Sequence, residues 1–178
     1  METYVEAKGL VDNQDFSKQR EIALGELSFN IIDKPIVDVI RKITTISYCF
    51  TLQSCYGHFL YDQQNDPNNI EPILSIACDT NIEYRIAYVA VCVENSLDGK
   101  RLLKELSELI STDLNCIQYG SAEWFWDRQI NSYVIQVEPE RFRTQDRCVI
   151  DYQEAIRLEK VRNQFYQELD MIIEKHIS

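Results

Sequence analysis

A chain of 178 residues that is 45% hydrophobic is long enough for one well-packed domain and at most two small ones. No apolar run approaches the ~20 residues of a membrane helix, and residues 1–7 carry neither a basic start nor an apolar stretch, so neither a membrane protein nor an exported one is expected. The net charge of −11, from 18 Lys and Arg against 29 Asp and Glu, repels nucleic acid and anionic lipid at long range and disfavours RNA as a partner.

In chain order, residues 1–7 read as a frayed tail. Residues 15–28 read as a helix, with Phe16, Ala23, Leu24, Leu27 and Ile31 at helical spacing. Asp33-Lys34-Pro35 opens a second helix, Asp33 as cap and Pro35 in the first turn, with Ile36, Ile40 and Ile43 on one line. Residues 47–54 alternate as a strand. Strict parity puts Tyr48, Phe50 and Leu52 on one face and Cys49, Thr51, Gln53 and Cys55 on the other, the polar one. Gly57 breaks this strand, and residues 59–61 continue it.

Residues 62–72 are a polar, Asn-rich loop. Residues 73–78 predict a strand, and 84–93 a longer one, apolar enough to be central. A helix over about 98–111 presents Leu102, Leu103, Leu106, Leu109 and Ile110. Residues 114–119 predict a strand, Gly120-Ser121 a turn, and 122–126 a strand placing Trp124 and Trp126 on one side, where core packing is favoured over base stacking. Residues 133–138 predict a strand. A linker over 140–147 carries Arg141, Arg143 and Arg147, read as surface arginines near Glu138 and Glu140. The last segment, about 150–176, predicts a long helix with Leu158, Val161, Phe165, Leu169, Ile172 and His176 in a stripe.

Strands and helices are grouped rather than alternating. The expected class is therefore α+β: a mixed or antiparallel sheet covered by helices, in a domain of residues 1–140. Residues 141–178 form a C-terminal helical extension, packed on that domain or on a partner as a homodimer seam.

Chemistry concentrates at residues 51–61. Cys55 and His58 flank Gly57, whose freedom at positive φ permits the imidazole to fold back over the thiol. They are the catalytic candidates, with Gln53, Ser54, Tyr56 and Gly57 as ligand-binding candidates and His58 as a general base. Cys49, Cys55 and His58 offer three metal ligands, but structural zinc takes four in tighter pairs, so no metal is expected. The six cysteines, Cys49, Cys55, Cys78, Cys92, Cys116 and Cys148, sit mostly in apolar runs and read as reduced thiols of a cytoplasmic protein. With five glycines and neither G-x-G-x-x-G nor G-x-x-x-x-G-K-[ST], a dinucleotide or P-loop cradle is not expected.

Three segments carry a family resemblance. Phe16 with Arg20, Ile32-Asp33-Lys34-Pro35-Ile36, and Thr51-Leu52-Gln53-Ser54-Cys55-Tyr56-Gly57-His58 resemble, in order and spacing, the wybutosine-synthesis methyltransferase family, the third-step enzyme that N-methylates a tricyclic guanine derivative in tRNA. That family has arginine at the position of His58 and serine at that of Gln53. The resemblance implies an α+β fold with the Ser-Cys-x-Gly turn at its cleft. It also implies S-adenosylmethionine as cofactor and a small-molecule or nucleotide ligand contacted by Cys55 and the turn amides. The residues leave two other readings open: a non-catalytic binding or assembly protein with a structural turn, and a cysteine-dependent hydrolase.

Overall fold

The run Ala87–Val93 is apolar at nearly every position, and it forms an inner strand of the larger described sheet, paired on both sides. The structure is a computed structural model describing residues 4–62, 64, 66–73, 81–142 and 145–177. The described strands make a five-stranded antiparallel sheet in the order β1 (Tyr4–Val5), β6 (Ile117–Ala122), β7 (Ser132–Val137), β5 (Ala87–Val93), β2 (Cys49–Cys55). A second antiparallel sheet holds β3 (His58–Leu60), β4 (Ile82–Arg85) and β8 (Arg147–Ile150). The helices are α1 (Phe16–Glu26), α2 (Val37–Thr45), α3 (Leu97–Glu108), α4 (Glu123–Trp126) and α5 (Tyr152–Glu174). The class is α+β, with a long C-terminal helix.

Period-two alternation sorts β5 between two layers. Ala87, Val89, Val91 and Val93 join a core with Ile40 and Ile43 of α2, Leu102 and Leu106 of α3, and Phe165 and Leu169 of α5. Ala90 and Cys92 face the other way, Ala90 toward Phe125 of α4 and Cys92 toward Phe16 of α1 and Phe50. Phe16 and Phe50 lie 5.4 Å apart, ring to ring. Arg20 of α1 donates to Thr44 O and Ile46 O, carbonyls that the end of α2 leaves unpaired, and to Cys49 O at the start of β2. Side-chain caps start two helices: Ser96 accepts from Gly99 N on α3, and Asp151 from Glu154 N on α5.

The two sheets share one bent ribbon. β2 pairs with β5 up to Cys55 opposite Tyr88, and β3 pairs with β4 from His58 opposite Arg85. Two residues intervene on each strand, Tyr56 and Gly57 on one and Ile86 and Ala87 on the other, so the register is unbroken across the bend. What changes is the neighbour: β5 pairs with β7, whereas β4 pairs with β8. Tyr84 ties the sheets together, donating to Val137 O and accepting from Ala87 N.

Several expectations are corrected. The single strand over 84–93 is two strands in different sheets, parted at Ile86. The N-terminal tail contributes β1, paired with β6. Gly120 and Ser121 lie inside β6 rather than in a turn, and 123–126 is a helical turn, which removes the strand parity of Trp124 and Trp126. Trp126 meets Tyr133 edge-on, while Trp124 is exposed against Phe125. The linker ends in β8. The predicted strand over 73–78 falls, apart from Ile73, outside the described residues, as do Cys78 and Arg143. Of the two placements expected for the C-terminal stripe, Leu158 to Ile172 takes the first, packing in the chain's own core. Among the described residues, no helix is long and apolar enough to cross a membrane.

Candidate functional site

A register shift between Thr51 and Gln53 decides which side chains reach the open face of the large sheet. Before this irregularity Phe50 shares a face with Cys92. After it, Gln53 pairs with Ala90 and Cys55 with Tyr88, on that same side, while Ser54 sides with Val89 toward the helices. The strict alternation read from the sequence fails here, yet Gln53 and Cys55 do reach a groove.

That groove has a volume of about 520 Å³ and lies where the ribbon changes neighbour from β7 to β8. Gln53 and Cys55 line it from β2, Arg85 and Tyr88 from the ribbon's other strand, and Val134 and Gln136 from β7. Trp124 and Phe125 of α4 form another wall, and Asp146 and Arg147 close the end at β8. Its charged lining is Arg85, Arg147 and Asp146, and both guanidiniums also face Glu83 Oε1, at 3.2 and 3.7 Å. Gln136 is fixed by donating to Glu138 Oε2 at 2.7 Å. Burial pushes the Glu138 carboxyl up to about 8, against hydrogen bonds from Gln145 N and Gln136 that lower it.

His58 does not line this groove. It is 4% exposed, and both ring nitrogens are engaged. Nδ1–H donates to Asn69 O at 3.0 Å, and Nε2 faces Asp33 Oδ2 at 3.2 Å. Burial alone lowers the imidazole's pKa, but the hydrogen bonds to Asp33 and Cys55, the electrostatic effect of Cys55 and the Asn69 carbonyl outweigh it and push it up to about 10. Burial likewise raises the Asp33 carboxyl, but the His58 and Tyr56 hydrogen bonds outweigh it and leave it below the usual carboxylate range. With no metal bound, the Asp33 contact favours the protonated ring, and both nitrogens are engaged, which corrects its assignment as a general base.

The remaining turn residues are structural as well. Tyr56 N–H donates to Asp33 Oδ2 at 2.8 Å and Gly57 N–H to Cys55 Sγ at 3.4 Å, so the turn amides expected at the ligand are already used. Tyr56 turns to a separate hollow beside Pro35 and Asp38, its hydroxyl donating to Asn163 Oδ1 at 2.9 Å. Gly57 is buried at φ 88°. Helix α5 holds the turn from behind: Arg162 donates to Gly57 O at 2.9 Å and Tyr166 to Cys55 O. Asp33 makes no side-chain cap on its helix; its carboxylate serves the turn instead.

Cys55 thus borders both features. It lines the groove, and its sulfur, an Asp33 oxygen and a His58 nitrogen all lie within 4.8 Å of one another. Cys49 is remote from this cluster, opposite Val93. Burial pushes the thiols of Cys92 and Cys148 up to about 12 and that of Cys116 to about 11, which makes them inert hydrophobes. Sequence reasoning missed Asn69 and Arg162, whose pairings span 11 and 105 residues, and the groove residues Arg85, Tyr88 and Gln136.

A raised histidine pKa contributes stability that is complete below the unfolded value, 6.5, and is lost as pH rises through about 10. Urea unfolding of the parent and of His58→Gln should therefore give a stability gap that narrows steadily from pH 6.5 to pH 10. A gap constant over that range would contradict the ion pair.

No protein-family model and no curated protein sequence matches the chain. Among solved structures, two of the PH1069 protein from Pyrococcus horikoshii, the second from strain OT3, are similar at 13% and 14% identity. Each has a TM-score of 0.49 and covers 93% of this chain, with 97% and 94% of those chains matched. A hypothetical protein from Aeropyrum pernix is similar at 11% identity and a TM-score of 0.43, over 82% of this chain and 97% of that one.

Proposed function

We propose that the chain is a cytoplasmic S-adenosylmethionine-dependent methyltransferase-like protein whose ligand site is the groove bounded by Gln53 and Cys55. The observation that carries the reading is the groove itself: a concave space of about 520 Å³, with mixed lining, at the motif that resembles the wybutosine-synthesis family. Tyr88, Trp124 and Phe125 offer rings for a planar heterocycle, and Gln53 and Gln136 offer amides for its edges. Arg85 and Arg147 offer charge for a carboxylate or phosphate. Position 58 supports it too: where that family has arginine, this chain has a histidine that Asp33 keeps protonated, so a cation is retained. The five described cysteines are free thiols, in keeping with a reducing compartment.

The hydrolase reading is less well supported. A base for Cys55 needs a ring nitrogen able to accept a proton, and both nitrogens of His58 are committed.

Calorimetry with S-adenosylmethionine and a panel of nucleotides tests the proposal. Saturable heat is expected, weakened roughly tenfold or more in Arg147→Ala through loss of a charge-assisted contact. Arg147 is well exposed, so this variant spares the core. Heat with neither class of ligand would overturn the reading.

A further inference from the structure

The turn brings together three side chains, of which only Cys55 also lines the groove. We propose that Asp33, Cys55 and His58 form a binding site for a zinc-type divalent cation, giving it one oxygen, one sulfur and one nitrogen. A fourth position would be left to water or a ligand heteroatom. The proposal does not rest on the methyl-transfer reading, although it shares Cys55 with the groove and a bound metal would take the place of the His58 cation.

Three observations carry it. The donor atoms lie within 4.8 Å of one another, and the Asp33 Oδ2–His58 Nε2 edge is 3.2 Å. With metal–ligand bonds of about 2.0–2.3 Å, adjacent tetrahedral ligands sit within this range of separations. Each donor is also oriented from outside the cluster. His58 Nδ1–H is fixed on Asn69 O at 3.0 Å, which aims Nε2 at the cluster. Tyr56 N–H holds Asp33 Oδ2 at 2.8 Å, and Gly57 N–H points at the sulfur at 3.4 Å. A histidine whose second nitrogen donates to a backbone carbonyl is the usual setting of a metal-bound imidazole. Finally, Asp33 keeps 17% of its side chain exposed and Cys55 is half-buried, so a cation has a way in.

The donor set decides the class of metal. A thiolate and an imidazole favour zinc or cobalt over magnesium or calcium, which prefer all-oxygen sets. Coordination breaks the Nε2–H bond of His58 and the S–H bond of Cys55, and both protons pass to solvent. The Asp33–His58 ion pair holds the same atoms together when no cation is present. The sequence trio Cys49, Cys55 and His58 pointed elsewhere because Asp33 is far away along the chain.

The test uses the full chain stripped with chelator and titrated with zinc alone, then with cobalt alone. One equivalent of either metal should bind, cobalt with a thiolate charge-transfer band. Cys55→Ser should abolish that band, and Asp33→Asn should weaken zinc at least tenfold. Zinc should also protect Cys55 of the parent protein from iodoacetamide, read on its peptide by mass spectrometry. This last measurement needs no variant and holds even where Cys55→Ser fails to fold. The proposal is overturned by no saturable binding, by a charge-transfer band that survives Cys55→Ser, or by unaltered Cys55 labelling in zinc.

Discussion

Replacing Arg162 with methionine is expected to lower the unfolding free energy by about 3–5 kcal/mol, the usual cost of removing one partner from a buried ion pair. Arg162 is 3% exposed, and its guanidinium serves several groups at once. It donates to Gly57 O at 2.9 Å and to Asn163 Oδ1 at 3.1 Å, and it approaches Glu159 Oε1 at 3.5 Å. It also lies 4.0 Å from the Tyr56 ring centre and 5.2 Å from that of Phe59, where desolvated cation–π contact adds to the loss. Methionine fills much of the volume but leaves the Gly57 carbonyl and the Glu159 carboxylate without their cation. Glu159 then retains the hydrogen bond from Ile73 N–H at 3.2 Å but no compensating charge from Arg162. Urea titration measures the effect. The double variant Arg162→Met with Glu159→Gln should be less destabilised than Arg162→Met alone, because the stranded charge goes too. A single variant within about 1 kcal/mol of the parent would show that α5 does not hold the turn through this residue.

That prediction rests on a contact 105 residues apart in sequence, which explains what could be read from sequence and what could not. Local periodicity was enough to find α2, α3 and α5, since the isoleucines 36, 40 and 43 and the leucines 102 and 106 show their buried faces directly, whereas the stripe read for α1 fails: the helix ends at Glu26, Phe16 is its buried member, and Ile31 lies outside it, 85% exposed. Ile86 could not be seen as a break, because it is itself apolar and leads straight into the apolar run of β5, and the break shows only in which distant strands pair on either side of it. Trp124 and Trp126 suit a strand by composition, but tertiary context folds 123–126 into a helical turn. The same limit applies to the site. Cys55 and Gln53 were found because they sit in one dense stretch, though the register shift at Thr51–Gln53 reverses the parity by which they were placed. His58 was legible as a chemical group but not as a cation, since its charge comes from Asp33, 25 positions earlier, and from the Asn69 carbonyl in a loop.

Gly57→Ala is expected to cost about 2–5 kcal/mol from two separable causes. The first is backbone strain: φ is 88°, where a Cβ costs about 1–2 kcal/mol. The second is space. A Cβ built there lies 2.8 Å from Ala87 Cβ, 3.0 Å from Ala87 N and 3.1 Å from Ala87 Cα, and overpacking of this kind costs about 1–3 kcal/mol. Two of those three atoms are backbone and belong to the strand that continues the ribbon, so they cannot swing aside as a flexible side chain would. The bend must open, and with it the pairing of Cys55 with Tyr88 and of His58 with Arg85 that shapes both the groove and the Asp33 cluster. Ala87→Gly in the same chain removes the nearest of the three atoms. It should recover part of the packing cost but none of the strain, which a double-mutant cycle reads as a favourable coupling between the two sites. Gly25→Ala is the control: it lies in α1 with nothing within 4 Å of the added Cβ, and it should stabilise by about 0.5–1 kcal/mol. Opposite signs at the two glycines in chemical denaturation, with ligand or zinc binding lost only in the Gly57 variant, are the expected pattern. Equal and small effects at both positions would mean that the bend tolerates a side chain and that the geometry at Cys55 does not depend on it.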